Sequence, residues 1–186
     1  MQYCGRSECA EPPRQPVWVR SWQGNRDKSR CAGDRRSMAQ RDNFYLPDDL
    51  YYDRKDHLWA RVESGGVRVG LDMFGQKAAG TVAYIKLLPA GKAVAKGRAF
   101  GSLEAGKYIG PLKAPVGGRI AEVNPEVLAT PRLVNTDPYG AAWFVVIEPN
   151  NLEQDLADLA HGPDVQVWLD QEVEDYRSKG LLKEES

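Results

Sequence analysis

Glu104 and Lys107 stand three apart in the run Gly101-Ser-Leu-Glu-Ala-Gly-Lys-Tyr-Ile-Gly-Pro-Leu-Lys-Ala-Pro-Val-Gly-Gly118, where glycine and proline punctuate two apolar stretches. Gly106 directly before Lys107, and Gly110-Pro111 after it, supply turn chemistry. Ala99-Phe100 on one side and Ile120 and Val123 on the other supply strand-like apolar positions. The pattern predicts a rigid hairpin with the Lys107 amine standing off its tip, and an amine presented in that way is a point of covalent attachment. A surface lysine is ordinarily a solvated charge, so the turn around it, not the residue type, sets Lys107 apart. Lys113, six residues on, reads as an ordinary strand-surface lysine.

The same letters spell seven of the eight positions of a phosphate-binding loop, G-x-x-x-x-G-K. The eighth position fails. It is Tyr108 where a Mg²⁺-holding hydroxyl is needed, and Gly110, Pro111 and Pro115 prevent the helix whose N-terminal amides would hold phosphate.

Other reactive groupings are sparse. His57 and His161 are the only histidines and lie far apart, which argues against a metal site. His57 is expected to pack beside Trp59, and Asp137 and Tyr139 to fix a loop. The three cysteines, Cys4, Cys9 and Cys31, fit neither a disulfide framework nor a zinc pattern, and none lies near the strands to act as a nucleophile. No Ser/His/Asp grouping has a persuasive context.

These residues need a scaffold, and 186 residues suffice for one domain with extensions. A net charge of -1 argues against non-specific attraction to nucleic acid or membrane, and no apolar run approaches the length that spans a bilayer. The chain reads as soluble and cytoplasmic. Residues 1–37 differ from the rest: eight Lys and Arg against four Asp and Glu, with Pro12, Pro13 and Pro16 and no regular period. A secretory signal lacks its apolar core here, and a transit peptide fits poorly with four acids and three prolines. The expectation is a disordered extension or an artefact of an upstream start, with Met38 the natural beginning.

From Phe44 the pattern is mostly period two. Leu58–Val62 and Val67–Leu71 alternate around Ser64-Gly65-Gly66, a hairpin signal. Asp72 caps a short helix that Gly80 ends. Further strands are expected over Thr81–Leu87, Arg98–Glu104, Leu112–Ala114, Gly118–Val123 and Trp143–Ile147, with a helical turn from Asn124-Pro125 to Pro131 and a loop at Asn135–Gly140. Many short strands indicate a small barrel or sandwich. Leu152, Leu156 and Leu159 then fall at helical spacing up to Gly162, and Pro163, Val165, Trp168, Leu169, Val173 and Tyr176 describe a second amphipathic helix closed by Gly180. The domain is expected over 44–150, with helices in 151–183 packed against it.

Leu46-Pro-Asp-Asp-Leu-Tyr-Tyr52, Asp56-His-Leu-Trp-Ala-Arg-Val-Glu63 and Leu133-Val-Asn-Thr-Asp-Pro-Tyr-Gly140 followed by Trp143 together resemble the glycine-cleavage H-proteins and their H-like relatives, lipoyl carriers, over about Leu46–Leu159. The resemblance implies a mainly β fold, a flattened β-barrel of the lipoyl/biotinyl (hammerhead) type with short helices and a C-terminal helical extension. The family's attachment motif is Glu-Ser-Val-Lys-Ala, and Glu104-Ala-Gly-Lys-Tyr108 keeps its glutamate and lysine. Lys107 would carry lipoate through an amide, with Glu104 read by the lipoate ligase or lipoyl transferase. Biotin carriers place Met on both sides of the lysine, unlike Gly106 and Tyr108. On this reading the protein is a swinging-arm carrier and not an enzyme.

The surroundings of the motif depart from the family. Ala105-Gly106 replaces Ser-Val, Gly110-Pro111 replaces Ser-Asp, and Thr81 and Lys86 stand at acidic positions. The helix after Pro163 also extends past a typical end. These features resemble the H-like lipoate-binding proteins that serve a heterodisulfide-reductase-like complex in sulfur oxidation, and the arm is expected to carry sulfur intermediates. The alternative is the glycine cleavage system, with the arm carrying an aminomethyl group among the glycine cleavage enzymes and being reoxidised by dihydrolipoamide dehydrogenase. A third reading is a scaffold without lipoate, or a lipoyl relay.

Overall fold

A computed structural model describes residues 38–106 and 108–180. The expectations for residues 1–37, the three cysteines and residues 181–183 fall outside the described residues, as does Lys107 itself.

Twelve strands and five helices are described. A first hairpin, β1 (Met38–Arg41) and β2 (Phe44–Pro47), turns at Asp42, whose φ is 53°. Then come β3 (Tyr51–Asp53), β4 (Leu58–Glu63), β5 (Gly66–Leu71) and helix α1 (Met73–Ala79). The expected cap is present: Asp72, fully buried, accepts a 2.7 Å hydrogen bond from Gly75 N, and Gly80 closes the helix with a φ of 89°. β6 (Val82–Leu87), β7 (Ala93–Val94), β8 (Ala99–Ala105), β9 (Tyr108–Lys113) and β10 (Gly118–Val123) follow. The run that mimics a phosphate loop is thus strand, turn and strand.

Helices α2 (Pro125–Ala129) and α3 (Leu133–Thr136) lead into β11 (Trp143–Pro149), then α4 (Leu152–Leu156), β12 (Ala160–His161) and α5 (Pro163–Ser178). Asn124 caps α2, accepting from Glu126 N, while its Nδ2 donates to the carbonyls of Ala141 and Trp143. Three expectations shift. The segment from Leu133 forms a helical turn before the loop; the leucine run from 152 stops at Leu156; and Ala160-His161 pairs with β3 instead of continuing the helix.

The strands form a seven-stranded sheet, ordered β12-β3-β4-β5-β11-β10-β7, and a three-stranded sheet, β6-β8-β9, besides the first hairpin. The sheets do not close into a cylinder; the fold is a mainly β, flattened, barrel-like one. Phe100 of β8 meets Phe144 of β11 at 6.4 Å between ring centroids, joining the smaller sheet to the larger. A second apolar cluster gathers Phe44, Leu46, Tyr52, Trp59 and Phe74 under α5, which buries Val165, Trp168, Leu169 and Val173, positions at helical spacing. Gln166 of α5 pairs both ways with the Gln40 backbone, covering the edge of β1.

Candidate functional site

The site begins with register. Ala105 faces Tyr108 and Glu104 faces Ile109 across β8 and β9, which leaves a two-residue connection between the strands. Gly106 is its described half, with a φ of 57°, and a methyl group built on its Cα would meet nothing within 4 Å. Left-handed backbone and open surroundings are what a tight exposed turn requires. Lys107 follows Gly106 in sequence and itself lies outside the described residues.

Glu104 sits half-buried in the middle of a row that crosses the whole smaller sheet, with Tyr84 of β6 on one side and Ile109 of β9 on the other. Tyr108, next to the turn, folds its ring back over Gly110, where any β-carbon would collide with the phenol. Its hydroxyl lies within electrostatic range of Lys113 and of Tyr176 on α5. Lys113 is more than a solvated charge: Nζ donates to Asp56 Oδ1 at 2.7 Å, linking β9 to the loop after β3, and the Asp56 carboxylate holds the ammonium above the usual lysine range.

One residue of α3 pins the sheet that carries the turn. Asn135 accepts from Val82 N at the start of β6 and donates to Gly80 O, both at 2.9 Å. Asp137 accepts from Ala141 N, and the Tyr139 hydroxyl accepts from Met73 N and donates to Tyr45 O, so both fix this loop as their types suggested. Burial pushes the Tyr139 phenol well above its ordinary range. Asn135 was legible only as part of a motif; its role as a splint between α1 and β6 needed the fold.

His57 is not where the sequence put it. Its left-handed backbone, φ 54°, breaks the alternation with Trp59. Its imidazole stacks on Phe74 and Trp168, at 5.1 and 5.8 Å between centroids, while Trp59 donates to Pro138 O and faces Tyr139. Nδ1 lies 3.5 Å from Asp72 Oδ2 and Nε2 lies 3.7 Å from Glu172 Oε1, close ionic contacts without hydrogen-bond alignment. Burial pulls its pKa down, but the carboxylates of Asp72, Glu172 and Asp53 outweigh it and hold the imidazole above its usual value. His161 stacks on Tyr51 at 4.1 Å. Among the described residues no three His, Cys, Asp or Glu side chains are placed to hold a metal ion. Nor is any helix among them long and apolar enough to cross a membrane.

The chain thus presents a flattened β fold with a left-handed, exposed Gly106 between two paired strands. The family model described as "Glycine cleavage H-protein" matches residues 50–172. The chain is 42% identical over 135 residues to "Glycine cleavage system H protein 3" of Aquifex aeolicus, a match that spans 70% of this chain and 84% of that one. It is 42% identical to a "Probable glycine cleavage system H protein" of Pyrococcus abyssi, over 66% of this chain and 90% of that one. The crystal structure of a glycine cleavage system H protein from Mycobacterium marinum superposes with a TM-score of 0.60 at 29% identity, covering 69% of this chain and 99% of that one. The chain belongs to the glycine cleavage H-protein family, whose members are lipoyl carriers, not catalysts, with lipoate held covalently on a lysine.

Proposed function

We propose that Lys107 bears the lipoyl group and that this chain ferries a reaction intermediate among the enzymes of the glycine cleavage system. The observation that carries the assignment is the register of β8 and β9, which leaves a two-residue turn at 106–107 with Gly106 left-handed and open to solvent. That turn fits the group: acylation needs an amine on an exposed, stiff loop, and Glu104 keeps the spacing at which the attaching enzyme would read it. Bound there, lipoate supplies a reversible dithiol/disulfide pair at the end of a tether.

The chain's own residues do the positioning. β6, β8 and β9 hold the turn, Asn135 pins the start of β6, and the Lys113–Asp56 pair ties the foot of the hairpin to the larger sheet. Tethering replaces a free encounter by a high local concentration, which is what a shuttle needs between successive enzymes.

The names of the relatives favour glycine cleavage over the sulfur role expected from the sequence. The sulfur reading retains one specific support, the altered collar of the turn: Tyr108 lying over Gly110, with Pro111 and Lys86 on the same sheet, is a surface chemically unlike the hydroxyl and acidic one of the glycine-cleavage pattern. One experiment separates the readings. Lipoylated chain is incubated with glycine and the glycine cleavage enzymes, or with a heterodisulfide-reductase-like complex and a reduced sulfur donor, and the mass gained at residue 107 is read by peptide mapping. Gain only with the first set supports glycine cleavage; gain only with the second set overturns it.

A further inference from the structure

We propose that Tyr84 and Ile109, flanking Glu104 in one cross-strand row, form the docking stripe for the enzyme that attaches lipoate, whose facing surface is apolar with a cation at its centre. The inference rests on the reading of Lys107 as the modified residue. Tyr84 pairs with Glu104 and Glu104 with Ile109, so their side chains make one line across the sheet, with neighbouring strands about 4.8 Å apart.

Exposure sets this line apart. Tyr84 is 54% and Ile109 72% exposed, two of the eight large hydrophobic side chains left exposed among the described residues. Single exposed apolar residues need no explanation, but a contiguous group around a functional turn marks an interaction surface. The core makes no use of them, because the inward positions of this sheet are filled by Ile85, Leu103 and Leu112.

The occupant follows from distance and charge. An enzyme that forms a bond at a lysine Nζ must approach within a lysine's length of the backbone, and the row lies one residue pair beyond the pair that closes the turn. Such an enzyme has to cover the row. Enzymes that act at the far end of the lipoyl tether stand further off and need not touch it. No ion pair among the described residues involves Glu104. Covering a carboxylate without giving it a partner is costly, so the enzyme must offer a cation between two apolar contacts.

The test uses the full chain, purified lipoate ligase, ATP and free lipoate, with intact mass followed against time at several carrier concentrations. The variants are the double substitution Tyr84→Thr with Ile109→Thr, both of which keep strand propensity, and separately Glu104→Gln. The double variant is expected to lose about tenfold or more in kcat/KM, through KM and not kcat, with an unchanged melting curve. Glu104→Gln is expected to flatten the dependence of the rate on ionic strength. A double variant modified within about twofold of the wild-type rate overturns the stripe. So does one that is modified normally and fails only in later transfer, since the surface would then serve a different partner. A wild-type chain that gains no mass overturns the carrier reading, and this inference with it.

Discussion

His57 Nε2 stands 3.7 Å from Glu172 Oε1, so a side chain from the turn between β3 and β4 meets one from the closing helix, with Asp72 on its other flank. The imidazole pKa is held above its unfolded value near 6.5 by Asp72, Glu172 and Asp53 against the opposing pull of burial. A raised pKa means stability that is fully present below the unfolded value and lost as pH climbs through the folded one. Unfolding by denaturant at intervals from pH 6 to pH 9 should show midpoints falling with pH. In His57→Asn, which tolerates the left-handed backbone, that part of the slope should vanish; in Glu172→Gln it should shrink. A slope that is unchanged in His57→Asn places the titrating group elsewhere.

Lys107→Arg keeps a positive charge but presents a guanidinium that stays protonated and does not accept the acyl group. The expected outcome is loss of the lipoyl mass increment with a thermal midpoint like that of the wild type. A variant that still gains the mass puts the attachment on another amine.

Tyr108 and Gly110 are coupled because the ring occupies the space that a β-carbon at 110 would take. In Gly110→Ala the exposed ring should swing away, at a cost below about 1 kcal/mol because a flexible side chain gives way more easily than backbone. A double-mutant cycle with Tyr108→Ala should give a coupling of about 0.5 kcal/mol or more. Additive single effects would mean that the ring does not rest there in solution.

Asn135 supplies two hydrogen bonds that tie the end of α1 to the start of β6. Removing them in Asn135→Ala leaves a backbone donor and an acceptor without partners, expected to cost about 2–3 kcal/mol. Hydrogen exchange should speed up first at the Val82 amide. Protection there equal to the wild type's would show that Asn135 is dispensable to the sheet.

Local signals carried much of this fold. The hairpin of β4 and β5 is announced by Ser64-Gly65-Gly66, α1 by Asp72 and Gly80, and the turn between β8 and β9 by Gly106, because each depends on neighbours in sequence. What was missed depends on distant ones. β1 is four residues with polar Gln40 and Arg41, and much of its support comes from α5, more than 120 positions away. β12 is two residues that pair with β3, too short for any period. Two partners of His57, Trp168 and Glu172, come from α5 folding back, and the row Tyr84–Glu104–Ile109 exists only once three strands are in register, with an irregularity between Val82 and Tyr84 that simple alternation does not show.

Arg41 reaches Asp170 and Glu174, Arg177 reaches Asp42, and Gln166 completes the edge of β1, so the first described strand and the last helix grip each other. Deleting either one strips the other of its polar grip and uncovers part of the aromatic cluster beneath. Truncation from the two ends is therefore not independent: a chain shortened to start at Phe44 would leave Gln166, Asp170, Glu174 and Arg177 of the last helix without these partners.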